Sequence, residues 1–171
     1  MPSIVWQRLH PDVAIPRRAT AHSGARDLRA FLLGSPTRIW TANAESVRGP
    51  DRDARERDGT PFVDVPPRAR AIVPTGLKAR LPEGHVGLVL PRSGTSYRTT
   101  LVLANAPGLI DADYAEEWGI LVKNDGTERL RVFHGDRIAQ LLVVRAEQLE
   151  DVEGVVERST DRAGGFGSTG A

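Results

Sequence analysis

The 171-residue sequence predicts an all-β fold, a sandwich or barrel of short strands. Apolar and polar residues alternate over short runs, and turn signals close each run at close intervals. No long stretch carries the 3.6-residue period of an amphipathic helix. The 17 Gly and 12 Pro support the same reading, because a many-stranded chain needs many turns.

The alternations can be followed in order. Leu77, Ala79 and Leu81 alternate with Lys78 and Arg80 before Pro82-Glu83-Gly84. Val86 to Leu90 is a compact β-prone run that stops at Pro91. Trp118, Ile120 and Val122 alternate with Gly119, Leu121 and Lys123, and Asn124-Asp125-Gly126 turns the chain. Leu130 and Val132 repeat the pattern, His134-Gly135-Asp136 breaks it, and Ile138 to Val144 resumes it.

Two segments leave this rhythm. Residues 34–60 are polar and densely charged; between Arg48 and Asp58 the Arg residues at 48, 52, 55 and 57 balance Asp51, Asp53, Glu56 and Asp58. A zero balance argues against a polyanion-binding arm and for a solvated insertion. Thr41 to Arg48 and Asp51 to Asp58 are each predicted to hold a turn or two of helix. The insertion is expected to lie on the surface, outside the core, so that its replacement by a short turn leaves a folded protein. The second segment is the Gly-rich tail, residues 161–171. The whole chain, 1–171, reads as one domain with these two elaborations.

Composition excludes several function classes. A hydrophobic share of 40% is ordinary for a globular chain. Cysteine is absent, which removes disulfides, Cys-zinc centres and thiol nucleophiles. The four His (10, 22, 85 and 134) lack metal-ligand spacing. A net charge of +1 argues against a nucleic-acid partner. With no apolar run of about 20 residues and no signal-like N-terminus, a soluble cytoplasmic protein without a membrane partner is expected. Only Lys78 and Lys123 are lysines, which reflects either genome composition or a use for fork-shaped donors.

Three further stretches carry chemistry. The tail reads either as a frayed terminus or as a phosphate wrap. In the second case Arg162 supplies a fork, Gly167, Ser168 and Thr169 supply amides and hydroxyls, and Phe166 stacks on a base. Pro91-Arg92-Ser93-Gly94 reads either as a plain turn after a strand or as a polyphosphate grip. Asn105 to Tyr114 reads as a hairpin turned by Pro107-Gly108. On it Asp111 is either a solvent-facing residue or a base for an attacking water, with Tyr114 near the same pocket.

Taken in order, the pieces resemble the trimeric deoxyuridine triphosphatases (dUTPases). Five motifs carry the resemblance: Gly24-Ala25-Arg26-Asp27-Leu28, Pro91-Arg92-Ser93-Gly94, Asn105 to Tyr114, Gly135-Asp136-Arg137-Ile138-Ala139-Gln140, and Arg162 to Gly170. The resemblance implies a distorted jelly-roll in a homotrimer, with active sites at subunit interfaces. It implies Mg²⁺-dependent hydrolysis of dUTP to dUMP and pyrophosphate, which keeps uracil out of DNA and supplies dUMP for thymidylate synthesis. By the same carry-over Asp111 activates the water, and Tyr114 packs on deoxyribose where a 2′-hydroxyl would clash. Asn105 and the backbone at Leu109 and Ile110 read uracil. Arg92, Ser93, Gly94 and Gln140 hold phosphates, and Asp27 faces the hydrated magnesium ion, which phosphate oxygens mainly hold. Phe166 closes over uracil, while Arg162, Gly167, Ser168 and Thr169 hold the γ-end.

The chain departs from the family pattern at Arg26, where Tyr is usual, and at Ala115-Glu116, where Arg-Gly is usual. Two competing readings remain at this stage. A dCTP deaminase-like enzyme would need a Glu on the strand before Asn124, and Trp118 to Lys123 offers no carboxylate. A non-catalytic dUTP-binding regulator would not need Asp111.

Overall fold

The computed structural model describes residues 2–42, 44–51 and 57–157. The strands run in chain order as β1 (Val5–Arg8), β2 (Arg26–Arg29), β3 (Thr37–Trp40), β4 (Glu45–Arg48), β5 (Phe62–Val65), β6 (Arg70–Pro74) and β7 (Leu77–Arg80). They continue as β8 (His85–Leu90), β9 (Leu101–Leu103), β10 (Gly108–Ile110), β11 (Gly119–Asn124), β12 (Leu130–Phe133) and β13 (Arg137–Arg145). Among the described residues one short α-helix, α1 (Ser93–Arg98), interrupts them. A four-stranded sheet has the order β10-β8-β13-β2, and a five-stranded sheet the order β4-β3-β6-β11-β9. Two-stranded ribbons, β1-β7 and β5-β12, complete a jelly-roll-like all-β fold.

Period-two patterning builds the core. In β11 Ile120, Val122 and Asn124 are buried while Gly119 is exposed; in β7 Leu77 and Ala79 are buried. Ala79, Ile120 and Val122 join Leu28, Ala71, Val73, Val89 and Leu141 in one apolar cluster fed by every sheet, while Leu77 packs with Val13 and Phe31 in a second. β13 breaks the alternation, since Ile138 and Ala139 are buried in succession. The cause is a register shift against β2, where Arg137 faces Arg29 but Ala139 faces Leu28. One extra residue on β13 resets which face points inward.

Asn124 is the most deeply buried of three buried polar residues among the described residues, the others being Thr37 and Thr75. Its amide nitrogen donates to the carbonyls of Val65 (3.0 Å) and Glu128 (2.7 Å). Its carbonyl accepts from the Thr100 hydroxyl (2.7 Å) and the Gly126 amide (3.0 Å). Two donors and two acceptors use the side chain's capacity in full, so its burial costs little.

Three expectations need correction. Residues 34–60 do not lie wholly outside the core as helical turns. β3 and β4 form a hairpin, β3 pairs with β6, and Ile39 is 1% exposed within the main apolar cluster. Summed charge concealed the alternation of Thr37 and Ile39, both buried, with Arg38. The charges at Glu45 and Arg48 instead suit an edge strand, where they discourage pairing with other chains. Among the described residues of this segment the helical turn is a 3₁₀ turn at Arg57–Gly59. Second, Asn105 to Tyr114 is not a paired hairpin: β9 pairs with β11 and β10 with β8, so the Pro107 turn carries the chain from one sheet to the other. Third, the turn after Pro91 continues as α1.

Because β3 supplies core, Ile39→Ala should destabilise the protein by about 2–5 kcal/mol. Replacing residues 34–60 by a short turn should cost more than that. Denaturant unfolding of both variants measures this, and a loss below about 1 kcal/mol in either would place β3 outside the cooperative core.

Candidate active site

The central strand β13 sets the first half of the site. Gln140 stands opposite Asp27 of β2 on one side and opposite Leu90 of β8 on the other. The chain leaving Leu90 therefore delivers Pro91-Arg92-Ser93-Gly94 beside this row, and the Gln140 amide donates to the Pro91 carbonyl at 2.8 Å. Asp27 gathers the charges. Its Oδ1 accepts from Arg92 Nε at 2.6 Å, and its Oδ2 accepts from Arg137 Nη1 at 3.2 Å and from Arg92 Nη2 at 3.5 Å. Arg92 Nη1 also donates to the Thr95 hydroxyl at 3.2 Å, and that hydroxyl donates to the Arg137 carbonyl at 3.1 Å. The Arg92 and Asp27 side chains are 17% and 24% exposed. At that burial a forked, charge-assisted pair fixes geometry as well as charge.

Arg92, Gly94, Thr95, Arg98, Arg131 and Arg137 line a hollow of about 230 Å³. Ser93 is exposed, and its hydroxyl has no hydrogen-bond partner among the described residues. Arg131 is committed elsewhere: its fork holds Asp64 at 2.8 and 3.1 Å, and its guanidinium covers the Phe62 ring at 4.0 Å.

The second half lies where β10 pairs with β8. Gly108 stands opposite Val89, and a Cβ there would lie 3.1 Å from Asn105 Nδ2 and 3.3 Å from Val89 Cβ. The missing side chain lets Asn105 fold against the strand. Asn105, Leu109, Ile110, Asp111 and Tyr114 rim a pocket of about 180 Å³. Engineered apolar cavities of about 150 Å³ hold benzene, so this volume admits one six-membered ring. The Tyr114 amide donates to the Asp111 carbonyl at 3.3 Å, a turn that brings both side chains to the same rim. Asp111 is exposed, and its carboxylate has no partner among the described residues.

The pocket walls were missed in the sequence. Val89, Trp118, Ile120 and Leu121 line it, although their alternation reads simply as strand core. Trp118 is 1% exposed, stacks edge-on against Trp6 at 5.2 Å, and its Nε1 has no hydrogen-bond partner. The signal available was an aromatic residue four positions beyond Tyr114.

The sequence-derived residues thus form two groups. Asp27, Arg92, Ser93, Gly94 and Gln140 converge around β13 and α1. Asn105, Leu109, Ile110, Asp111 and Tyr114 converge on the ring-sized pocket. The pocket and the arginine hollow share no lining residue within one chain. Arg162, Phe166, Gly167, Ser168 and Thr169 lie outside the described residues.

The departures from the family pattern acquire local roles. Arg26 bridges to Arg18 in an isolated antiparallel pair, and burial together with the Arg18 charge lowers its pKa. Glu116 reaches Lys78 at 3.4 Å, and the neighbouring Glu117 accepts from the Gly76 amide at 2.7 Å and from the Ser35 hydroxyl at 2.5 Å. Among the described residues no cluster of three or more His, Asp or Glu forms a metal cage.

These features define a nucleotide-binding jelly-roll, and comparison with known proteins places it. The dUTPase family model matches residues 62–170. The deoxyuridine 5'-triphosphate nucleotidohydrolase of Syntrophotalea carbinolica is 39% identical, over 98% of this chain and 97% of that protein. The protein of the same name from an Anaeromyxobacter strain is 43% identical, over 83% of this chain and 94% of its own length. The chain belongs to the dUTPase family. Its fold is shared with the dUTPase of Staphylococcus bacteriophage 80alpha, solved with dUpNHpp, at TM-score 0.69 and 24% identity over 99% of both chains. It is also shared with a dUTPase of phage phi11, described with a structural Mg(II) ion, at TM-score 0.67 and 21% identity over 92% of this chain and 99% of that one.

The Asp27–Arg92 pair should show energetic coupling. A double-mutant cycle of Asp27→Ala and Arg92→Ala, read by urea unfolding, should give about 1–3 kcal/mol. Additive effects would show that the pair contributes no net stability.

Proposed function

We infer that the protein hydrolyses dUTP to dUMP and pyrophosphate. The observation that carries this reading is the ring-sized pocket with an unpartnered carboxylate, Asp111, on its rim, in a chain of the dUTPase family. The base enters the pocket, where Asn105 and the backbone at Leu109 and Ile110 meet its polar edge. Tyr114, 45% exposed on the rim, offers a flat face to the deoxyribose and leaves no space for a 2′-hydroxyl. Asp111 orients a water and takes its proton as the water oxygen attacks the α-phosphorus. The bond to the bridging oxygen breaks and pyrophosphate leaves.

Arg92, the Ser93 hydroxyl, Gly94 and Gln140 hold the phosphates. Magnesium, when bound, offsets phosphate charge. Asp27 suits only an outer position toward it, because both carboxylate oxygens already accept from guanidinium groups. The ion would be held mainly by phosphate oxygens and water, and among the described residues no cluster of three or more acidic or His side chains offers a cage. Phe166 closes over the base, and Arg162, Gly167, Ser168 and Thr169 hold the γ-end.

The reading includes the homotrimer with interfacial sites that the family resemblance implies; in its support, the pocket and the arginine hollow share no lining residue within one chain. The reaction keeps uracil out of DNA and yields dUMP for thymidylate synthesis. Among the described residues no helix is long and apolar enough to cross a membrane, in keeping with a cytoplasmic role. Residues 1–171 act as a single domain whose last segment, 161–171, closes over the substrate. Deamination is disfavoured because residues 118–123 carry no carboxylate.

Asp111→Asn should bind dUTP but turn it over roughly 10²–10⁴-fold more slowly. Pyrophosphate release from dUTP, with dCTP, dTTP and UTP as controls, measures it. Turnover near the parent rate would remove Asp111 as the base, and a parent that binds dUTP without releasing pyrophosphate would mark a regulator.

Truncation after Asp161 should leave the β fold intact and abolish most hydrolysis. Mixing that chain with Asp111→Asn subunits should restore part of the activity if the tail acts on a neighbour. Absence of complementation, with subunit exchange demonstrated by mass spectrometry, would place the tail on its own subunit.

A further inference from the structure

We propose that Arg98 is an additional substrate-binding residue, one that grips the pyrophosphate end of the nucleotide. This rests on the dUTP-hydrolysing reading and adds a group that lies outside the five motifs. Four arginines, Arg92, Arg98, Arg131 and Arg137, and one acid, Asp136, line the hollow beside α1. Three of the arginines have a carboxylate: Arg92 and Arg137 share Asp27, and Arg131 takes Asp64. Arg98 has no carboxylate or hydrogen-bond partner among the described residues. A paired guanidinium has its charge largely offset by its partner, whereas an unpaired one keeps its charge for an incoming anion.

Its position is built. Arg98 ends α1 and folds back over Gly94, one helical turn earlier. A Cβ on Gly94 would lie 2.8 Å from Arg98 Nη2 and 3.5 Å from Cζ. The absence of a side chain at position 94 is therefore what lets the guanidinium lie against the Arg92-Ser93-Gly94 turn, the segment assigned to phosphate. The hollow shares no lining residue with the base pocket. A group here consequently faces the end of the nucleotide remote from the base, which leaves as pyrophosphate.

The test separates the two ends of the substrate. Arg98→Ala should weaken product inhibition by magnesium pyrophosphate roughly tenfold or more, the scale of a lost charge-assisted hydrogen bond. Inhibition by dUMP should stay within about twofold, and Arg98→Lys should recover part of the pyrophosphate affinity. Gly94→Ala should cost less pyrophosphate affinity in the Arg98→Ala background than in the parent, because it acts partly by displacing that guanidinium. Equal losses for pyrophosphate and dUMP would mean a structural role and overturn the proposal, as would no change in either. If Arg98→Ala shows no cooperative melt, Arg98→Gln is read by the same criteria. Calorimetric titration of the parent and variants with inorganic pyrophosphate and Mg²⁺ decides the role of Arg98 without turnover. A parent inert toward dUTP overturns the functional reading alone.

Discussion

The double pairing of β13 is the constraint on which the rest of the structure depends. It is the longest strand, and it is hydrogen-bonded to β8 on one edge and β2 on the other. Its register puts Gln140 between Leu90 and Asp27, so residues more than a hundred positions apart meet in one row. A shift by one residue would turn Leu141 out of the core and Gln140 into it. The bulge at Ile138 sets where that register begins, and it leaves Arg137 exposed with its side chain directed to Asp27. Core packing and site geometry are thus the same specification.

That specification also holds three charges in a partly buried space. Breaking a buried ion pair leaves an uncompensated charge, so the cluster demands its partners as much as it rewards them. The demand is met by sharing: one carboxylate serves two guanidiniums, and the Thr95 hydroxyl links the cluster to the β13 backbone. Arg92 and Arg137 are therefore oriented before any anion arrives. An ordered donor array loses less entropy on binding than a floppy one.

β8 divides the site. Val89 forms a wall of the ring-sized pocket, and three residues later Arg92 lines the other hollow. Such spacing places the two groups of candidate residues on either side of one strand end. Short motifs with turn residues and charges mark the ends of strands, so Arg92, Asp111 and Gln140 stood out. The walls did not, because Val89, Trp118 and Ile120 obey the same alternation whether they face core or ligand. β7, β8, β11, β12 and β13 were legible for that reason too. β3 was not, because its one deeply buried apolar residue, Ile39, sits among charges that carry no period of their own. The joining of β9 and β10 to different sheets was equally hidden: a Pro-Gly turn marks a reversal but does not say which strand receives the chain.

The scarcity of lysine can now be weighed position by position. Arg92 donates from Nε, Nη1 and Nη2 to Asp27, the Thr95 hydroxyl and the Arg137 carbonyl. Arg131 forks onto Asp64 while its plane covers Phe62. A compact ammonium has neither the planar fork nor the flat face for these contacts. Exposed Arg17 and Arg18 make no contact among the described residues that requires a guanidinium, so nothing there distinguishes Arg from Lys. Lys78 and Lys123 show the complementary case, each reaching a carboxylate through its single ammonium, Glu116 at 3.4 Å and Asp125 at 2.8 Å. Among these described residues, then, the geometry demands arginine where one side chain must satisfy several acceptors at once or lie flat on a ring, and nothing at Arg17 or Arg18 demands it.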